Sequence, residues 1–336
     1  MTASATTDPH ASERTAWARR ALGDDAATPV RASMDAGFRS YWRVDAPGGT
    51  RIVMDSPPAL EDVRPWLRIH GLLDAGGVRV PQVLAQDVEA GFLLLEDLGT
   101  QTLLQVLDAG NADALFDGAI GQLLKLQAIA PPADLPRYDE AMLARELKLF
   151  DDWFLGTHLG ITLDCDAMET LDGAHRLLID AALAQPVVLV HRDFMPRNLM
   201  PADSGPAVLD FQDAVAGPIA YDPACLFKDA FVSWPQTHVD AWLDRYHARA
   251  VDAGLPVPGL ARFRRDADWI GVQRHLKVIG IFARLHHRDG KPKYLEDVPR
   301  FFAYLDAVLP KYAEFAGLQR LIETRVKPAL ATRPLP

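Results

Sequence analysis

Cysteine is scarce in this sequence: among 336 residues there are only Cys165 and Cys225, in no metal-ligand spacing. A disulfide framework and a structural zinc site both need clustered thiols, so both are excluded. Long apolar runs are missing as well. No stretch approaches the ~20 residues of a membrane-spanning helix, and the opening M-T-A-S-A-T-T-D-P-H has no apolar core of the kind a secretory leader needs. Positive charge is outnumbered, with 35 Lys and Arg against 45 Asp and Glu, a net charge of −10. No basic block or basic–aromatic alternation occurs, which excludes a nucleic-acid surface; a polyanionic ligand would need local cations or a metal. These absences predict a protein of the reducing cytoplasm that binds neither nucleic acid nor membrane; a monomer is the expectation. What is present, 49% hydrophobic and 24% charged residues, suits a globular chain with a large core in two lobes.

Chemistry is concentrated in one stretch starting at Pro186: P-V-V-L-V-H-R-D-F-M-P-R-N-L-M-P-A-D-S-G-P-A-V-L-D-F-Q-D. The β-branched run 187–190 delivers His191-Arg192-Asp193 and then Asn198; a second run, Val208-Leu209, ends on Asp210-Phe211. A single Asp after a strand usually marks a turn. Two strand-end acids with an Asn between them instead describe a divalent-metal and phosphoryl-transfer site, and H-R-D-x-x-x-x-N followed by D-F is the arrangement of a kinase catalytic loop. The first pattern alone arises by chance in roughly one chain in a thousand of this length.

Periodicity predicts a helix over 12–22, a hairpin with strands near 41–45 and 50–55 around Pro47-Gly48-Gly49, a helix over 61–75 and strands over 80–86 and 91–95. Ahead of the hairpin, 35–40 combines small residues, Gly37 and Arg39, a composition able to fold over phosphates. From Thr100 the character turns helical, with helices predicted over 102–107, 111–129, 139–154, 166–184, 223–233, 237–253, 258–283 and 298–315 and a loose end over 327–336. The class is therefore α+β: an N-lobe over 1–97, a linker at 96–99, and a mostly helical C-lobe over 98–336 that carries the polar site. In the late helix, Trp269, Val272, Leu276, Ile279 and Ala283 form a buried face. Gln273, Lys277 and Arg284 share another, with Gly280 expected to leave room for a ligand.

These residues resemble the aminoglycoside phosphotransferase/choline kinase family, small-molecule kinases of protein-kinase-like bilobal fold, over roughly Arg14 to Ala316. The stretches D-A-G-F-R-S-Y-W-R-V, G-F-L-L-L-E-D-L-G, H-R-D-F-M-P-R-N-L-M and Q-R-H-L-K-V-I-G-I-F-A-R-L-H-H-R-D-G-K-P-K-Y-L are most similar to its branch of anomeric amino-sugar kinases in peptidoglycan recycling. The resemblance implies ATP as donor, Mg²⁺ as cofactor, and the C1 hydroxyl of N-acetylmuramate or N-acetylglucosamine as acceptor, giving the α-1-phosphate. It implies Asp193 as the catalytic acid group, Asn198 and Asp210 as metal ligands, and Glu96 and Leu98 as linker positions whose backbone pairs with adenine. Arg39, Ser40 and Arg43 fall on the phosphate side. Asp213 is near enough to reach a sugar hydroxyl, Arg274 and Lys277 suit the lactyl carboxylate of muramate, and Asp222 is placed to brace the catalytic loop.

The chain departs from the family pattern at two positions. Met54 stands where a phosphate-gripping Lys is expected, and Met195 where many members have a second His. Two further readings stay open. A kinase for an aminoglycoside or other small hydroxyl compound would favour an acidic pocket, whereas a nucleotide-binding pseudokinase-like scaffold would fit Met54 but has no need of the complete Asp193–Asn198–Asp210 set.

Overall fold

The computed structural model describes residue 8 and residues 10–33, 38–203 and 205–332. Alternation along the N-terminal strands decides how the first lobe is built. β1 (Val30–Ser33), β2 (Ser40–Ala46), β3 (Gly49–Asp55), β4 (Val83–Asp87) and β5 (Phe92–Glu96) form one antiparallel sheet in the order β1-β2-β3-β5-β4. Successive side chains on a strand point to opposite faces. Val44, Val53, Phe92 and Leu94 therefore gather against Trp17 and Ala18 of α1 (Ala11–Leu22). Met54, Leu93 and Leu95 face the other way, into a core with Trp66, Ile69 and Leu73 of α2 (Arg64–Ala75) that continues into the second lobe. Arg14 pins α1 to the sheet: it donates to Asp55 at 2.7 Å and lies 3.5 Å from the centroid of the Trp42 ring. Two boundaries moved and one strand was missed. Pro65 sits in the first turn of α2, which starts at Arg64 rather than 61; Pro81 delays β4 to Val83; and β1 was not foreseen.

After the linker come α3 (Leu103–Val106), α4 (Ala112–Ala128), α5 (Glu140–Leu149), α6 (Cys165–Leu183), α7 (Tyr221–Phe227), α8 (Gln236–Asp252), α9 (Leu260–Asp289), α10 (Val298–Val308), α11 (Ala316–Leu321) and α12 (Lys327–Thr332). The predicted helix 139–154 changes winding after Leu149 and runs on as a π-helix, Phe150–His158, which buries Phe150 and Phe154. α7 stops at Phe227 because Asp229 turns the chain, accepting from the amides of Phe231 and Val232. The predicted helix 298–315 breaks near Pro310, and 327–332 is helical rather than loose. No described helix is long and apolar enough to cross a membrane.

α9 is the axis of the C-lobe, packed against α5, α6, α7, α10 and the π-helical segment. The room expected beside Gly280 does not exist, since a Cβ there would stand 2.3 Å from the carbonyl carbon of Leu149. The main chain fills that space, so close approach of two helices, not a ligand, accounts for the glycine. Gly280→Ala is accordingly expected to destabilise the fold towards the upper end of the ~1–3 kcal/mol typical of overpacking. A thermal melt indistinguishable from the parent's would contradict this packing.

Candidate active site

Four short strands, each too brief to fold alone, assemble the site. β6 (Val187–Val190) pairs with β9 (Val215–Pro218), and β7 (Leu199–Met200) with β8 (Ala207–Val208). β6 runs straight into the catalytic loop. The His191 ring ties that loop to the end of β8, since Nε2 meets the Leu209 carbonyl at 2.9 Å while Nδ1 accepts from the Asp193 amide at 3.2 Å. That pairing assigns the ring proton to Nε2. Asn198 Nδ2 donates to the Asp193 carbonyl at 2.9 Å and lies 3.5 Å from Asp210 Oδ2, and the Leu209 amide donates to the Asn198 carbonyl at 2.9 Å. Asp193, Asn198 and Asp210, scattered over two loops in sequence, thus meet in one place. The Asp193 carboxylate accepts no hydrogen bond from the described residues; the structural bonds of this residue are all made by its backbone.

Two non-glycine residues here adopt left-handed backbone: Arg192 at φ 76° and Asp210 at φ 62°. Such conformations cost on the order of 1–3 kcal/mol and persist only where surroundings over-determine them. For Arg192 the surroundings are clear. Asp222, fully buried at the start of α7, accepts from the His191 amide at 2.8 Å and the Arg192 amide at 3.0 Å. Around Asp210 the contacts are looser: Gln212 Nε2 donates to it at 2.8 Å, and Phe211 packs 5.0 Å from Trp66, linking this loop to α2.

Burial pushes the Asp222 carboxyl up to about 6, against the pull of His191 and the two amides. A value raised in the folded state favours folding at low pH, and that contribution is lost as pH rises through about 6. The ionised brace therefore costs stability at neutral pH and is justified by what it positions. Asp222→Asn keeps one acceptor for two buried amides, so it is expected to lower the melting temperature and to lower kcat by roughly 100-fold, the usual consequence of an ångström-scale misplacement. In the parent, turnover should decline as pH falls through about 6; a flat kcat profile across that range, or an unimpaired Asn variant, would contradict the bracing role.

Beneath the loop lies a buried charge network. Glu146 of α5 accepts from Arg192 at 2.7 Å, from Lys277 at 2.9 Å and from Gln273 at 3.3 Å, and also from the Tyr138 hydroxyl. Lys277 further donates to the Tyr221 hydroxyl at 3.0 Å. Burial pushes the Lys277 ammonium down, but Tyr221 and Glu146 outweigh it and hold its pKa above the ordinary value. Arg274, 2% exposed, donates to the Lys228 carbonyl at 3.3 Å. The face expected to carry Gln273, Lys277 and Arg284 is buried at its first two members and half-buried at Arg284, and Arg274 beside it is buried as well. Gln273, Arg274 and Lys277 are buried because α9 is enclosed on every side over this span.

The remaining expected positions lie along the cleft. Met54 is fully buried in the core. Arg39 stands 3.5 Å from Glu61, ahead of α2, with its side chain 12% exposed; positions 35–37 of the covering segment lie outside the described residues. Ser40 Oγ accepts from Trp42 Nε1 at 2.9 Å. Arg43 is tied to the linker, donating to Asp97 at 2.9 Å and to the Gly99 carbonyl at 2.8 Å. Burial works to raise the Asp97 carboxyl, but bonds from Arg43, Thr50 and the Gly99 amide hold it down at about 2. The Glu96 side chain pairs with Arg79, its amide donates to the Gln82 carbonyl at 2.9 Å, and the Leu98 amide has no partner among the described residues. Asp213 is exposed, 3.4 Å from Gln212 Nε2. Sequence reading missed Glu146. Its signal was an acid on the apolar face of α5, between the buried Leu143 and Leu147.

A twisted antiparallel lobe, a linker and a helical lobe bearing these three residues define a protein-kinase-like fold. The phosphotransferase enzyme family model matches residues 29–265, and the chain belongs to that family. It is 55% identical over 292 residues, 87% of this chain and 86% of the relative, to an N-acetylmuramate/N-acetylglucosamine kinase of Pseudomonas putida. To the protein of the same name in Pseudomonas aeruginosa it is 53% identical, covering 87% of each. An ADP-bound aminoglycoside phosphotransferase superposes with a TM-score of 0.59 at 15% identity, covering 88% of this chain and 97% of that one, a likeness of fold.

Proposed function

We propose that this protein transfers the γ-phosphate of ATP to the C1 hydroxyl of N-acetylmuramate and N-acetylglucosamine, forming the α-1-phosphate in cytoplasmic peptidoglycan recycling. The observation that carries this reading is more than 50% identity, over most of the chain, to two kinases of that name. The geometry is consistent with it. Residues 1–97 hold the nucleotide, with adenine against the backbone of Glu96 and Leu98, and residues 98–336 hold the sugar and the chemistry.

Asp193 accepts or orients the C1 proton as the sugar oxygen bonds to phosphorus and ADP departs. In a loose transition state positioning dominates over basicity, and the loop is fixed for that purpose by Asp222, His191 and Asn198. Hard oxygen donors, the Asn198 amide oxygen and the Asp210 carboxylate, fit Mg²⁺, which takes few protein ligands and completes its shell with phosphate and water. When bound, Mg²⁺ neutralises charge developing on the phosphates. With Met54 apolar, Arg39 is the cation best placed to meet the triphosphate, because its contact with Glu61 resembles the Lys–Glu pair of other kinases. Asp213 is a candidate for a sugar hydroxyl.

The test is turnover with ATP and Mg²⁺ on each amino sugar, with the phosphate position read by ³¹P NMR. Failure to phosphorylate either sugar at C1 sinks the proposal, and phosphorylation of aminoglycosides instead would favour the wider small-molecule reading.

A further inference from the structure

Resting on the amino-sugar reading, we infer that a cavity beside the catalytic loop holds the carboxylate of the acceptor, with Arg197 and Lys293 as the residues that recognise it. The cavity has a volume of about 430 Å³, within the range that accommodates small ligands. It opens between the start of α3, at Thr102, the catalytic loop, at Arg197, and the segment following α9, at Lys293, Tyr294 and Asp297. It borders the catalytic loop: Arg197 shares the turn Pro196–Asn198 with the metal-side Asn198 and lies four residues after Asp193.

The cavity brings two cations to one wall. Arg197 and Lys293 are both exposed, and neither has a hydrogen bond or ion pair with a protein group among the described residues. Asp297, the acid on the same wall, is 3.3 Å from Arg300 and so is already engaged. The Arg197 guanidinium lies 4.5 Å from the centroid of the Phe231 ring, which limits its freedom while leaving its donors open. Two cations with free donors, flanked by the rings of Phe231 and Tyr294, match a sugar that carries an anion: aromatic faces take the apolar face of the ring, and the cations take the carboxylate. A polycationic acceptor would be repelled.

N-acetylmuramate carries a lactyl ether on C3 that ends in a carboxylate, and N-acetylglucosamine carries a hydroxyl there. Arg197 and Lys293 are therefore specificity-determining residues between the two sugars. Arg274 and Lys277 are less suited, since both are buried, Lys277 is paired with Glu146 and Tyr221, and Arg274 donates to the Lys228 carbonyl.

The experiment compares kcat/KM of the full chain for both sugars in the parent, Arg197→Ala, Lys293→Ala and Lys293→Glu. The ratio of N-acetylmuramate to N-acetylglucosamine should fall about tenfold in each Ala variant, as expected for a lost charge-assisted hydrogen bond, and further in the charge reversal. A general folding or loop defect lowers both sugars together and leaves the ratio unchanged, and that outcome overturns the inference while the proposed function stands. An equal loss accompanied by a raised KM for ATP reassigns the cations to the nucleotide and also overturns it. A parent protein inactive on both sugars overturns the proposed function, and this inference with it.

Discussion

Asp193→Ala is expected to lower turnover by roughly 10²–10⁴-fold, the range for loss of a positioned acid–base group, while ATP binding and the melting temperature stay close to those of the parent. The two halves of this prediction have separate causes. The carboxylate makes no structural hydrogen bond among the described residues, so its removal leaves no buried donor unpaired. The backbone amide and carbonyl, held by His191 and Asn198, keep the loop in place whatever the side chain. Steady-state kinetics combined with titration of a non-hydrolysable ATP analogue separates them. Retained turnover would remove Asp193 from the chemistry, and loss of nucleotide binding would mean the residue shapes the cleft.

The second large effect is expected at a residue that touches no substrate. Glu146→Ala would leave Arg192 and Lys277 buried without their shared anion, and breaking a buried ion pair from one side costs about 3–5 kcal/mol. Burial works to raise the Glu146 carboxyl, but Lys277 and Arg192 prevail and hold it below the ordinary value. A depressed folded value means that the stabilisation is present at neutral pH and is lost only in acid, as pH falls through that value. Chemical denaturation at pH 7.5 should therefore show the full loss, and the gap between variant and parent should narrow in acid. Glu146→Gln preserves volume and one acceptor and should recover part of the stability, though not the charge balance. If Glu146→Ala unfolds no more easily than the parent, the network contributes nothing net.

The catalytic loop was legible in the sequence because its chemistry is local: Asp193, Asn198 and Asp210 lie within one hairpin-like stretch, and their order is dictated by what they bind. The α+β division was legible for a similar reason, since the alternation in β3 and β5 and the helical periodicity that follows are properties of short windows. β7 and β9 were not, because strands of two and four residues carry no periodicity, and the Gly217-Pro218 end of β9 reads as a turn. The charge network was hidden by distance: Glu146 meets a partner 46 positions away in Arg192 and another 127 away in Gln273. Arg274 and Lys277 were assigned to a ligand on helical spacing and on the room expected at Gly280, which the main chain at Leu149 fills. In the structure α9 is enclosed by a large lobe, and the polar side chains of Gln273, Arg274 and Lys277 lie inside it, Lys277 and Gln273 on Glu146 and Arg274 on the Lys228 carbonyl.

The contact between Arg192 and Glu146 also bears on control. In signalling kinases the arginine preceding the catalytic aspartate awaits a phosphate added to a mobile segment, and the enzyme is idle until that anion arrives. Here the anion is a carboxylate built into α5, and only the short turn from Phe211 to Ala214 separates the metal-side loop from β9. The chain has the charge it needs from the moment it folds. An enzyme made this way needs no added phosphate to pair that arginine.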